Sequence, residues 1–159
     1  MAEEIERKFL VTGDGWRDRA IGSFYTQGYI STAQAGQTVR VRIVGEQAYL
    51  TLKGPTTGIT RTEFEYSIPV ADAKEMLASM CDRPLIEKIR YRLPIGDIVW
   101  EIDEFKGDNA GLIVAEVELK SETQQIEMPT WLGKEVSGDP RYYNARLSSQ
   151  PYCSWAQTE

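Results

Sequence analysis

The chain has 159 residues, 42% hydrophobic and 26% charged, the composition of a globular unit long enough to bury one core. It contains no histidine, which excludes histidine-based nucleophilic triads, histidine general bases and histidine-ligated zinc. The net charge of −6 disfavours a generic nucleic-acid surface, and the two cysteines, Cys81 and Cys153, lack metal-like spacing and argue against a disulfide framework.

No apolar run approaches membrane-spanning length, and no charged start followed by an apolar stretch suggests a signal peptide. The expectation is a single cytoplasmic domain over residues 1–159, with no membrane or nucleic-acid partner. Oligomeric state is not legible in the sequence.

In chain order, Glu3–Val11 reads as a strand with Glu4, Glu6 and Lys8 on one face and Ile5, Arg7 and Phe9 on the other. A turn at 12–15 and a short helix over 16–20 lead to an aromatic strand, Ser23–Ile30. Thr38–Val44 sets Arg40 and Arg42 against Val39, Val41 and Ile43. Gly45-Glu46 turns it into Ala48–Lys53, with Tyr49, Thr51 and Lys53 on one side. Thr60–Ile68 then places Arg61, Glu63 and Glu65 opposite Thr62, Phe64 and Tyr66.

Asp72 is expected to cap a helix running to about Cys81, with Met76, Leu77 and Met80 as its apolar stripe. Alternation resumes in Leu85–Leu93, where Lys88, Arg90 and Arg92 share a face. It continues in Ile98–Phe105, with Glu101 and Asp103, and in Leu112–Lys120, with Glu116, Glu118 and Lys120. From Pro129 onward the chain reads as helix and loop, including a short helix over Arg141–Ser149. The expected class is mainly antiparallel β with accessory helices (α+β) and about eight strands.

Two architectures fit this alternation. An open sheet with a salt-bridged solvent face is one. The other is an eight-stranded closed barrel whose charged faces point inward and whose apolar faces are covered from outside. Closure is favoured because Glu-x-Glu and Arg-x-Arg pairs segregate by strand, and like charges held together repel unless a ligand of opposite sign joins them. Clustered Arg and Lys match phosphate oxygens, whereas clustered Glu repels phosphate unless divalent cations intervene. A metal-bridged polyphosphate satisfies both sets. No P-loop and no Gly-x-Gly-x-x-Gly motif offers another route to phosphate.

Glu4-x-Glu6-x-Lys8 resembles the signature of the CYTH superfamily, the triphosphate tunnel metalloenzymes. The resemblance continues in order through Tyr25-x-Gln27-Gly28-Tyr29, Arg40-x-Arg42, Lys53-Gly54, Arg61-x-Glu63-x-Glu65, Lys88-x-Arg90, Asp103 and Glu116-x-Glu118. It implies an eight-stranded tunnel that binds triphosphate compounds with Mg2+ or Mn2+. Glu4, Glu6, Glu116 and Glu118 would hold metal, joined by Asp103. Lys8, Arg40, Arg42, Lys53, Lys88 and Arg90 would bind substrate, and Arg61 and Arg92 would either join them or neutralise a neighbouring carboxylate.

The segment Ser137–Asn144 resembles the approach to a helix that plugs one tunnel mouth in short bacterial members. The activity implied is metal-dependent hydrolysis of inorganic triphosphate to pyrophosphate and phosphate. Glu63 and Glu65 would orient the attacking water, and Lys88 would assist the leaving group. The alternatives are a nucleoside triphosphatase, a thiamine triphosphatase, a class IV-type adenylyl cyclase, or a non-catalytic polyphosphate-binding module.

Overall fold

The computed structural model describes residues 3–155. Nine strands form one antiparallel sheet: β1 (Glu3–Val11), β2 (Ile21–Ile30), β3 (Thr38–Val44), β4 (Gln47–Lys53), β5 (Thr60–Ile68), β6 (Ile86–Ile95), β7 (Ile98–Phe105), β8 (Ile113–Glu118) and β9 (Leu132–Glu135). Two α-helices accompany them, α1 (Val70–Ser79) and α2 (Asn144–Ser149).

The strand order is β5-β4-β3-β2-β6-β7-β8-β1-β9, and β1 closes the ring by pairing with β5 as well. Residues Glu6–Leu10 of β1 face β8, while Glu3–Ile5 pair with Thr60–Thr62 of β5. Closure leaves no free edge on the eight-membered ring. The ninth strand, β9, adds to β1 at Phe9 and Val11. Two tight turns, β3–β4 and β6–β7, each place a glycine at positive φ (Gly45 +60°, Gly96 +61°), where an L side chain is strained.

The apolar faces point out of the barrel and are covered there. Val41 and Ala48 pack beneath Ala73 and Leu77 of α1. Phe9, Trp100, Ile102, Ala115 and Val117 pack with Trp16 and Trp131 from flanking loops. Trp100 meets Phe9 and Trp131 edge-on, with ring centroids 5.8 and 5.5 Å apart. A third cluster, including Ile86, Phe105 and Val114, seats Leu147 of α2. Each fully buried large side chain stabilises this jacket by about 1.5–3 kcal/mol relative to exposure. The hydrophobic core therefore surrounds the barrel, and the lumen is free for polar groups.

Three expectations differ from the fold. The segment over 132–135, read as helix and loop, is the strand β9: Leu-Gly-Lys-Glu is too short to display alternation, and pairing with β1 decides its conformation. Helix α1 begins at Val70 behind an extended Pro69, with no side-chain cap. Asp72 lies inside its first turn, where its charge complements the helix dipole. The helix ends at Ser79, so Met80 leaves the apolar stripe and is exposed, while Ala73 and Leu77 carry the packing. The short helix expected over Arg141–Ser149 divides into a 3-10 turn, Pro140–Tyr142, and α2.

Candidate active site

The lumen is a cavity of about 800 Å³ lined by inward side chains of most barrel strands. From β1 come Glu4, Glu6 and Lys8; from β3, Arg40 and Arg42; from β4, Lys53; from β5, Arg61, Glu63 and Glu65. Lys88 and Arg90 of β6, Glu101 of β7, and Glu116 and Glu118 of β8 complete the wall. Period-two alternation on closed strands brings these residues together from positions up to 114 apart in sequence, Glu4 to Glu118.

The cations fall into two groups. In the first, each has a carboxylate. Lys8 Nζ lies 3.2 Å from Glu116, and Lys53 Nζ lies 3.1 Å from Glu4 and 3.3 Å from Glu63. Arg90 reaches Asp103 twice, at 2.7 and 2.9 Å, then Glu116 at 2.9 Å and Glu101 at 3.3 Å. Lys88 Nζ donates to Asp103 at 2.8 Å. Burial opposes the charge of Lys8, but Glu116 and Glu6 outweigh it and hold its ammonium above the ordinary lysine range.

The second group is under-neutralised. Arg42 makes no ion pair among the described residues; its Nε donates to Gln27 Oε1 at 2.8 Å. Burial, then the neighbouring Arg40 and Arg90, pull its pKa down to about 10. Arg40 pairs with Glu65 at 3.2 Å through Nη2, but its buried Nε has no partner among the described residues. Arg61 donates to the carbonyl of Gly54 at 2.9 Å and to Thr38 at 3.2 Å, and has no carboxylate partner among the described residues. The ring of Tyr25 lies within 6 Å of three cations, Arg42, Lys88 and Arg90. Buried guanidinium groups short of acceptors are a ready receptor for an anion.

The acids divide in the same way. Glu116 faces Lys8 in the register, and Lys8 and Arg90 override burial to hold its carboxyl well below the usual range. Glu6 faces Glu118 directly across β1 and β8, and neither makes an ion pair among the described residues. Burial, then Glu116 and Glu4, push the Glu6 pKa up to about 8. Burial with Glu4, Glu63 and Glu101 also raises that of Glu118. This corner of the lumen carries more negative charge than its cations balance.

Several sequence expectations acquire a different place. Asp103, expected among metal ligands, is fully buried behind the lumen wall with both oxygens held by Lys88 and Arg90. Glu101, outside the site residues expected from sequence, lines the lumen and bridges Arg90 and Arg92. Arg92 itself is exposed and neutralises Glu101 from outside, 2.9 Å away. Lys120 lies beyond the end of β8 and is exposed.

Sequence reasoning missed the roles of Gln27, Tyr29, Tyr143 and Asn144. Gln27 is fully buried and joins Arg42 to Tyr29 and Asn144. Its alternation with Tyr25 and Tyr29 on β2 was the available signal. Tyr143 and Asn144 come from the C-terminal segment and carry no such pattern.

A hard divalent cation fits this donor set. Glu6 and Glu118 supply unpaired carboxylate oxygens, and a cation relieves their mutual repulsion. Among the described residues no three acidic or thiol groups already converge as a closed cage. An open set of one or two carboxylates completed by substrate oxygens is the coordination magnesium favours.

Comparison with known proteins follows the same line. A family model described as "CYTH domain" matches residues 2–143. An inorganic triphosphatase of Acetivibrio thermocellus is 48% identical over 152 residues, covering 96% of this chain and 97% of the relative. An inorganic triphosphatase of Nitrosomonas europaea is 37% identical over 150 residues, covering 91% and 96%. A crystal structure of an inorganic triphosphatase superposes with a TM-score of 0.64 at 33% identity, covering 91% of this chain and 96% of that one. The barrel, its inward charges and these matches agree: the chain belongs to the CYTH family.

Proposed function

We propose that this protein hydrolyses inorganic triphosphate to pyrophosphate and phosphate inside its barrel, with Mg2+ or Mn2+ as cofactor. The observation that carries this reading is the division of one lumen between under-neutralised arginines, Arg40 and Arg42, and unpaired carboxylates, Glu6 and Glu118. Only a ligand that presents anionic oxygens to the first and a cation to the second satisfies both. The family relatives named as inorganic triphosphatases support the choice of substrate.

Glu6 and Glu118 would hold the metal, with Glu4 and Glu116 adjoining. When bound, the metal neutralises phosphate charge and polarises the scissile bond. Arg40, Arg42, Lys53, Lys8 and Arg90 bind the phosphate oxygens, and Arg61 contributes at the rim formed by Gly36 and Gly54. Glu63 and Glu65 orient the attacking water and take its proton as its oxygen bonds to a terminal phosphorus. The bridging P–O bond then breaks, and pyrophosphate departs with its charge met by Lys88. Phosphoryl transfer depends on positioning and charge neutralisation, so the absence of a histidine or cysteine nucleophile is no obstacle.

Burial pulls the Lys88 pKa well below the ordinary lysine value, with Asp103 opposing and Arg90 and Arg42 adding to it. An ammonium with a loosened proton is suited to a developing oxyanion. Under this reading the protein acts as a single domain in the cytoplasm on a small anionic substrate.

The test is phosphate release from inorganic triphosphate, ATP and thiamine triphosphate, each with magnesium, manganese or EDTA. The expected result is metal-dependent turnover of inorganic triphosphate well above the other two, with pyrophosphate as the second product. Preferred turnover of ATP, or formation of cyclic AMP, reassigns the substrate. Tight binding without turnover makes the chain a polyphosphate-binding module.

A further inference from the structure

Asn144, the first residue of α2, projects from outside the barrel to its lumen. Its Oδ1 accepts from Lys88 Nζ at 3.0 Å and from Gln27 Nε2 at 3.3 Å. Lys88 and Gln27 are almost completely buried, so these bonds are not exchanged with solvent. One carboxamide oxygen thereby joins two branches of the site that lie on different strands.

The first branch is Lys88. An ammonium has three N–H donors and no acceptor. Asp103 takes one at 2.8 Å and Asn144 takes a second, which fixes the direction of the third. Without Asn144, Nζ turns about its single remaining anchor.

The second branch is Arg42. Gln27 spends both Nε2 hydrogens, on Tyr29 Oη at 2.7 Å and on Asn144, and so presents Oε1 to Arg42 Nε at 2.8 Å. Loss of Asn144 leaves one amide hydrogen of Gln27 unsatisfied in a buried place. Rotation of that amide then sets N–H against the N–H of Arg42. Besides Asn144, α2 has other attachments to the barrel: Leu147 is fully buried, and Ser148 Oγ donates to the Pro84 carbonyl at 2.9 Å.

We infer that Asn144 is a positioning residue for the reaction. Delivered by the C-terminal helix, its carboxamide oxygen aims the Lys88 ammonium and, through Gln27, the Arg42 guanidinium into the lumen. The inference rests on the triphosphatase reading above. It assigns to α2 a role in setting the geometry of the site.

The experiment measures kcat and KM for metal-dependent phosphate release from inorganic triphosphate by the full chain. It compares wild type, Asn144→Ala, Asn144→Asp, Lys88→Ala and the double variant Lys88→Ala/Asn144→Ala, with thermal melts of each. Asn144→Ala is expected to lower kcat/KM by about 10- to 100-fold, the scale of a misplaced reacting group, with its melting transition retained. Asn144→Asp keeps an acceptor oxygen beside Lys88 and is expected to retain most of kcat, with KM raised because the new charge repels the substrate.

In the Lys88→Ala background the kcat effect of Asn144→Ala is expected to be clearly smaller, since the Lys88 branch is gone and only the branch through Gln27 and Arg42 remains. Wild-type turnover with Asn144→Ala equal to it, or the same kcat loss in both backgrounds, overturns the inference and leaves Asn144 as a tether of α2. Absence of phosphate release by wild type overturns the triphosphatase reading itself, a result distinct from either.

Discussion

Glu6 of β1 and Glu118 of β8 stand directly opposite each other in the strand register, and neither carries an ion pair among the described residues. Like charges so placed destabilise a sheet. Burial and the carboxylates of Glu116 and Glu4 raise the Glu6 pKa from 4.5 to about 8, above its value in an unfolded chain. Between those two values the folded state binds more protons than the unfolded state, so stability falls as pH rises. The metal-free protein should lose thermal stability from about pH 4.5 to pH 8 in EDTA, and Glu6→Gln should flatten that slope. Added magnesium should restore the most stability at the upper end, because cation binding releases the proton. Melting curves over this range, with and without EDTA, provide the check; identical slopes for wild type and variant would contradict it.

Arg42 makes the opposite case on the other wall. It is a buried cation beside Arg40 and Arg90, with a neutral amide as its hydrogen-bond partner. Arg42→Ala should weaken triphosphate binding by about 1.5–3 kcal/mol, the scale of a charge-assisted hydrogen bond. The same substitution should leave the stability of the ligand-free protein equal or slightly raised, since it removes repulsion. Calorimetric titration with inorganic triphosphate and a denaturant melt measure the two effects separately. A large loss of stability with unchanged affinity would assign Arg42 to the scaffold.

Asp103 separates scaffold from metal site. It neutralises Lys88 and Arg90 from behind, with both cations at 2.7–2.9 Å. Burial opposes its charge, but Arg90 and Lys88 override it and hold its carboxyl below the usual range. Asp103→Ala should cost about 3–5 kcal/mol of unfolding free energy, because it strands the buried Lys88 and removes the bidentate partner of Arg90. That loss should appear in urea melts of the metal-free protein. Unchanged metal-free stability with lost metal affinity would instead make Asp103 a ligand.

The charged lumen was largely legible from sequence because closure leaves alternation intact. Glu4, Glu6, Arg40, Arg42, Glu63, Lys88 and Glu116 each face the cavity that period two assigns them. Periodicity does not give depth along a strand or behind the wall. Glu101 and Asp103 share one face, yet Glu101 reaches the lumen while Asp103 is sealed beneath Arg90. Asn144 was silent for another reason: a neutral amide outside the strands leaves no charge pattern or alternation, and its meeting with Gln27 depends on α2 packing against β2 and β6. The strand β9 was missed because four residues on an added edge take their conformation from a partner far off in sequence: Val11 pairs with Leu132 and Phe9 with Glu135.

The most direct test of the charged lumen as a metal-dependent triphosphate site is the rate of phosphate release from inorganic triphosphate by wild type and Glu6→Gln. Both are measured at saturating magnesium or manganese, with EDTA as control. Wild type should turn over only with metal, and Glu6→Gln should fall by about 100-fold or more while keeping a cooperative melt. Equal rates for the two proteins, or wild-type turnover undiminished by EDTA, would contradict the account.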